Sequence, residues 1–180
     1  AAIAEIGMPA ILKTRRLGYD GKGQVRIRTA ADVDAAWQAL GAQSRTVGLI
    51  LESLVLFERE ISVVAVRGRD GEFRTWPLTE NWHEDGVLSA SLAPARLDAT
   101  LAAMAVENAR RVAESLDYVG VLCVEFFVLT DGSLVANEMA PRPHNSGHYS
   151  IDACDLSQFE LQVRAMTGAP LLEPRLHSPC

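Results

Sequence analysis

Long apolar runs are missing from this chain, and none reaches the length a membrane-spanning helix needs. The first residues lack the basic stretch and apolar core of a secretory signal. Basic runs are missing too. There are 17 Lys and Arg against 23 Asp and Glu, a formal net charge of −6, which argues against a nucleic-acid partner and gives no membrane-binding patch. Cysteine is sparse. Cys123, Cys154 and Cys180 form no close pair and no metal-type spacing, which fits a reducing, cytoplasmic compartment rather than a disulfide scaffold. Neither a Walker loop nor G-x-G-x-x-G is present. What is there is ordinary for a soluble globular protein: 48% hydrophobic and 22% charged residues over 180 positions. That length suffices for one domain with a real core, or for two small lobes.

The most unusual stretch is 136–149, ANEMAPRPHNSGHY. Pro141 and Pro143 exclude a helix or a central strand, so it reads as a shaped polar loop leaving a strand, the usual seat of binding chemistry. Its plain alternative is a solvated Asn/Pro/Gly surface loop. His144 and His148 stand four apart, as in helical zinc sites, but Pro143 and Asn145-Ser146-Gly147 argue against a helix there and so against zinc. Just upstream, Glu125 lies alone in VGVLCVEFFVL, where an ionised carboxylate is costly unless paired. Asp131-Gly132 between two apolar runs predicts a two-residue hairpin turn. Thr130 then faces Ser133, and the same register sets Glu125 directly opposite Glu138. Like charges so placed repel. Either one carboxyl keeps its proton or a cation sits between them, and two hard oxygen donors suit Mg²⁺. A slipped register or a longer turn would break the pairing.

Earlier in the chain, Ala10–Thr14 is a short strand carrying Lys13. A loop with Gly18, Gly21 and Gly23 follows, then a strand at 25–28. Such a loop converges backbone N–H groups on an anion, and Lys13 and Lys22 add positive charge; an ordinary flexible hairpin loop is the alternative. Thr29 is placed to cap a helix to Leu40 with Val33, Trp37 and Leu40 on one face. Strands are expected at 47–51, 58–67 and 73–78. The polar 79–91, with Trp82 and His83, reads as irregular. An amphipathic helix at 97–116 buries its methionine and alanines, and a last helix runs 151–167 to Gly168. Cys123 reads as a small core residue. The closing Leu176-His177-Ser178-Pro179-Cys180 adds no element, so the chain reads as a fragment of a longer protein.

Three segments together, GYDGKGQ at 18–24, EREIS at 58–62 and NEMAPRPHNSGHYSIDAC at 137–154, resemble the ATP-grasp family, and within it the branch that carboxylates 5-aminoimidazole ribonucleotide in purine biosynthesis. The resemblance covers nearly the whole chain. It implies an α+β fold with two lobes of mainly antiparallel sheet around a nucleotide cleft. The small lobe would be 1–52, the large lobe 53–170, and 171–180 the start of a truncated C-terminal region. Lys13 matches the strand lysine on ATP. Gly18, Tyr19, Asp20, Gly21, Lys22, Gly23 and Gln24 match the loop on the phosphates. Glu52, Ser53, Leu54 and Val55 match the hinge that binds adenine through backbone groups. Glu60 matches a ribose neighbour and His83 a further nucleotide contact. Glu125 and Glu138 match the Mg²⁺ ligands. Asn137 matches a residue of that site, although as the strand neighbour of Glu138 it should point the other way. Tyr19, Asp20, Arg142, His144, Asn145 and Ser146 match the surface meeting the ribonucleotide and bicarbonate, with Arg142, Lys22 and Asp20 closest to the chemistry. The implied enzyme is an ATP- and Mg²⁺-dependent carbon–nitrogen ligase and a homodimer. Relative to the family this chain lacks an N-terminal and a small C-terminal domain, which carry part of the nucleotide and ribonucleotide-phosphate sites. Two other readings stay open: another ATP-grasp ligase of purine metabolism, and a non-catalytic nucleotide-binding module.

Overall fold

The computed structural model describes residues 2–17, 22–84 and 86–180. Gly18, Tyr19, Asp20 and Gly21 of the glycine-rich stretch lie outside the described residues. Two compact units make up the chain. The first is Ala1–Leu56 with Glu84–Val87, and the second is Phe57–His83 with Leu88–Cys180.

The first unit's three-stranded antiparallel sheet, order β2-β1-β3, is built from β1 (Ala10–Thr14) and β3 (Leu49–Ser53), each a short apolar run, and from β2 (Gln24–Ile27), which alternates polar and apolar residues. Two helices accompany it, α1 (Ala2–Ile6) and α2 (Asp32–Leu40). Thr29 does not cap α2. The helix starts later because the Asp32 carboxylate accepts the N–H groups of Arg28 and Thr29, which draws that segment into a turn. Ala36 and Leu40 are buried, whereas Trp37 is exposed and packs beside Gly41. Glu52 and Ser53, matched to the hinge, are the last residues of β3, and Leu54 and Val55 follow as irregular chain.

The second unit is a mainly antiparallel sheet of six strands in the order β7-β6-β4-β8-β9, with β5 pairing β4 off that path. Its strands are β4 (Arg59–Arg67), β5 (Phe73–Thr75), β6 (Thr79–Glu84), β7 (Val87–Leu92), β8 (Gly120–Val128) and β9 (Leu134–Ala140). The segment 79–91 is therefore two strands, not irregular chain: Thr79 and Asn81 pair inward on β4 and are buried despite their polarity. The β5 strand stops at Thr75, where Trp76 turns into the core and donates its indole N–H to the Leu156 carbonyl at 2.8 Å.

One face of this sheet is covered by α3 (Ala99–Ser115), capped by Asp98, whose side chain accepts the Leu101 N–H. Leu101, Ala105, Ala109 and Ala113 pack on Ile61, Val63, Leu122 and Val124. The helix buries small residues, so the sheet approaches closely, while Met104 and Leu116, expected inside, are exposed. The other face is covered at one end by α4 (Gln158–Thr167), with Leu161 and Ala165 against Val64, Val66 and Val121. This helix starts at its Ser157 cap rather than at Ile151, because Asn145–Ile151 forms a separate 3-10 turn; it ends, as expected, at Gly168 with φ +75°. The other end of that face holds polar side chains.

Candidate active site

Antiparallel pairing places facing residues on one side of a sheet. On β4 and β8, Ser62 pairs with Glu125 and Glu60 with Phe127; on β4 and β6, Glu60 pairs with Asn81. Glu60, Ser62, Asn81, His83 and Glu125 consequently share one face, at the end that α4 leaves open, with Cys123 on the same face under α4. On β9, Glu138 stands opposite Glu125, as the hairpin arithmetic requires.

The route to that pairing differs from the sequence reading. Leu129 and Ser133 pair across a three-residue loop, with Gly132 at φ +77°, not a two-residue turn. That turn sets Phe126 opposite Ala136 and would carry Glu125 to Asn137. A bulge between Phe126 and Glu125 inserts one residue on β9 and restores Glu138. The bulge also overturns the expected orientation of Asn137. Its amide donates to Glu60 Oε1 at 3.4 Å, so Asn137 and Glu138 lie on the same face.

Glu125 is 5% exposed. Burial, then the charges of Glu138 and Glu60, raise its pKa from 4.5 to about 7. Its hydrogen bond comes from Ser62 Oγ at 3.3 Å, which in turn accepts from Asn81 Nδ2 at 2.6 Å; Asn81 Oδ1 accepts from Ser91 Oγ at 2.8 Å. This hydroxyl–amide chain fixes the buried carboxyl. His83 Nδ1 lies 2.9 Å from Glu60 Oε2, and that hydrogen bond raises the His83 pKa against the opposing effect of burial. Sequence reasoning missed Ser62, Asn81 and Ser91. The signal available was the period of two: Ser62 follows Glu60, and Asn81 precedes His83, each by two positions.

The loop 141–148 is pinned from behind. The buried Gln158 carboxamide accepts the His144 N–H at 2.9 Å and donates to the His144 carbonyl at 2.8 Å. Gly147 lies so close that a Cβ there would meet Gln158 Oε1 at 2.7 Å. His144 is thereby held over the sheet, its Nδ1 2.9 Å from Ser146 Oγ. Burial and the charge of Arg142 lower its pKa to about 4, so its ring is neutral near pH 7. Arg142 is exposed and donates to the Pro143 carbonyl; Asn145 and His148 are exposed, and the His148 ring stacks on Phe159 at 6.0 Å.

In the first unit, Lys13 Nζ lies 2.7 Å from Glu52 Oε2. Lys13 pairs with Gln24 and Ile50 across the sheet, and Lys22 is exposed just before β2.

Residues 1–159 match the ATP-grasp domain family, and the chain belongs to that family. Within it, the chain is 49% identical over 180 residues to the N5-carboxyaminoimidazole ribonucleotide synthase of Brucella melitensis, a match covering 100% of this chain and 49% of that one. The ADP complex of an N5-carboxyaminoimidazole ribonucleotide synthetase superposes with a TM-score of 0.92 at 46% identity, covering 99% of this chain and 46% of the other. An Aspergillus clavatus synthase in complex with ADP and 5-aminoimidazole ribonucleotide superposes with a TM-score of 0.88 at 32% identity, with the same coverage. The α+β, ATP-grasp fold is thus established. The chain spans about half the length of the curated relatives it matches.

Proposed function

We propose that this chain is the ATP-grasp core of an ATP-dependent carbon–nitrogen ligase that carboxylates 5-aminoimidazole ribonucleotide with bicarbonate. The observation that carries the reading is the opposed Glu125 and Glu138 on the open end of the sheet, beside a loop clamped to present His144 and Ser146. The similarity to synthases of that name supports the choice of substrates.

The residues fit Mg²⁺. Two hard carboxylates share one face, and the buried one is destabilised by its acidic neighbours, a cost that a divalent cation removes. Held by Glu125 and Glu138, Mg²⁺ would supply charge neutralisation for the ATP phosphates. In the proposed reaction a bicarbonate oxygen bonds to the γ-phosphorus and the bond to ADP breaks, giving carboxyphosphate. The exocyclic amine then bonds to the carboxyl carbon, gives up a proton, and phosphate leaves with the electron pair. Lys13 and Lys22 would offset phosphate charge, and exclusion of water would protect labile carboxyphosphate. Arg142 offers a fork of donors to bicarbonate, and neutral His144 adds no positive charge beside it. Homodimeric assembly, cytoplasmic location and the division into lobes 1–52 and 53–170 belong to the same proposal.

Phosphate release from MgATP tests it, with bicarbonate and the ribonucleotide added singly and together, on this chain and on one extended at both ends. Release that needs the ribonucleotide is expected, and Glu138→Gln should lower it by about a hundredfold or more while the fold survives. ATP binding without acceptor-dependent release in either chain would replace the ligase by a non-catalytic nucleotide module.

A further inference from the structure

Cys123 lies two positions before Glu125 on β8 and therefore on the same sheet face. It is 0% exposed, opposite Ala140, and packs at the margin of the α4 core. A cysteine that only filled that core would meet apolar atoms. This one has the Ser146 hydroxyl 3.6 Å from its sulfur, and the same hydroxyl lies 2.9 Å from His144 Nδ1. One ligand atom each from Cys123, Glu125 and His144 lies within 4.8 Å of the other two. His144 is 9% exposed, and the Gln158 clamp fixes its backbone, so its position is built in.

A sulfur, an imidazole nitrogen and a carboxylate oxygen are the donor set of Zn²⁺ and related thiophilic ions, not of Mg²⁺. Bonds of about 2.0–2.3 Å in a tetrahedral site put donor atoms roughly 3.3–3.7 Å apart. From separations of up to 4.8 Å, the donor atoms need to close by about 1.1–1.5 Å at most.

We propose that Cys123, Glu125 and His144 form a second, thiophilic divalent-metal site that shares Glu125 with the acidic pair. Binding expels the thiol proton and replaces the two contacts of Ser146 by metal bonds. A corollary rests on the reading of Glu125 and Glu138 as Mg²⁺ ligands: Zn²⁺ drawing on Glu125 leaves it a weaker ligand for a second cation close by, so Zn²⁺ should inhibit turnover in competition with Mg²⁺.

The test uses Co²⁺ as a spectroscopic probe, in a Cys180→Ser background that removes the exposed thiol. One equivalent of Co²⁺ should give a thiolate-to-metal charge-transfer band and the intense visible bands of a tetrahedral site, and Zn²⁺ should bleach both. Cys123→Ala should abolish the charge-transfer band and weaken Zn²⁺ binding by at least about tenfold, since even outer-shell losses cost that much. Cys154→Ala and Glu138→Gln should keep the band. Circular dichroism melting confirms that each variant folds. No band in the parent, or a band that survives Cys123→Ala, overturns the proposal. In the active extended chain, Cys123→Ala should keep Mg²⁺-dependent phosphate release and lose its sensitivity to Zn²⁺. A cobalt band combined with Zn²⁺-insensitive release would leave the thiophilic site standing and overturn its competition with Mg²⁺.

Discussion

Glu125 combines burial with carboxylate neighbours, so folding favours its protonated form. Below pH 4.5 folded and unfolded chains both hold the proton, and the group contributes its full stability there. As pH rises toward about 7 the unfolded chain ionises first, and that stability is lost. Glu125→Gln keeps the shape and the Ser62 hydrogen bond without the charge. In the metal-free chain it should be nearly silent at pH 4 and stabilising by about 3 kcal/mol at pH 8, read from urea melts with chelator present. A loss of stability at pH 8 would make the ionised carboxylate a structural anchor instead. Glu125 was legible because a lone acid in an apolar run has few bland explanations. Ser62 and Asn81, which fix it, were not. Each looks like any polar strand residue until the pairing of β4 with β6 and β8 brings both to the same carboxyl.

At the scale of elements, the clamp on the 141–148 loop is made by one side chain of α4. Gln158→Ala removes both hydrogen bonds, leaving the buried His144 N–H without a partner and its carbonyl with the Gly147 N–H alone. The cost should be roughly 2–3 kcal/mol in denaturant melts. Gln158→Glu, measured at a pH low enough to keep the carboxyl protonated so that it accepts the N–H and donates to the carbonyl, should cost less. Equal losses in the two variants would point to packing alone. The helices and apolar strands were legible from their periods, and the acidic pair from its spacing. The turn type and the bulge were not, because they cancel: a loop longer by one residue than a two-residue turn and one extra residue on β9 return the same partners. The hairpin 79–92 was hidden for a different reason. Its inward positions are Thr79 and Asn81, so the usual apolar alternation is replaced by polar groups that hydrogen-bond or lie buried.

For the whole molecule, a ligand that binds only the folded chain raises its stability by mass action. MgATP at a hundred times its dissociation constant should add about 2.7 kcal/mol, seen as an upward shift in melting temperature that EDTA reduces. A shift of the same size with ATP alone would separate nucleotide binding from the acidic pair. Among the described residues no helix is long and apolar enough to cross a membrane. The β8–β9 hairpin has a practical corollary for building on this chain. The ladder from Val128 and Leu134 onward, with its bulge, holds Glu138 against Glu125; the tip at Thr130, Asp131 and Gly132 is exposed and takes no part. The tip is a permissive insertion point. A peptide tag or fluorophore-bearing loop spliced there would leave the two glutamates opposed, whereas one residue added between Leu134 and Glu138 would turn Glu138 to the opposite face.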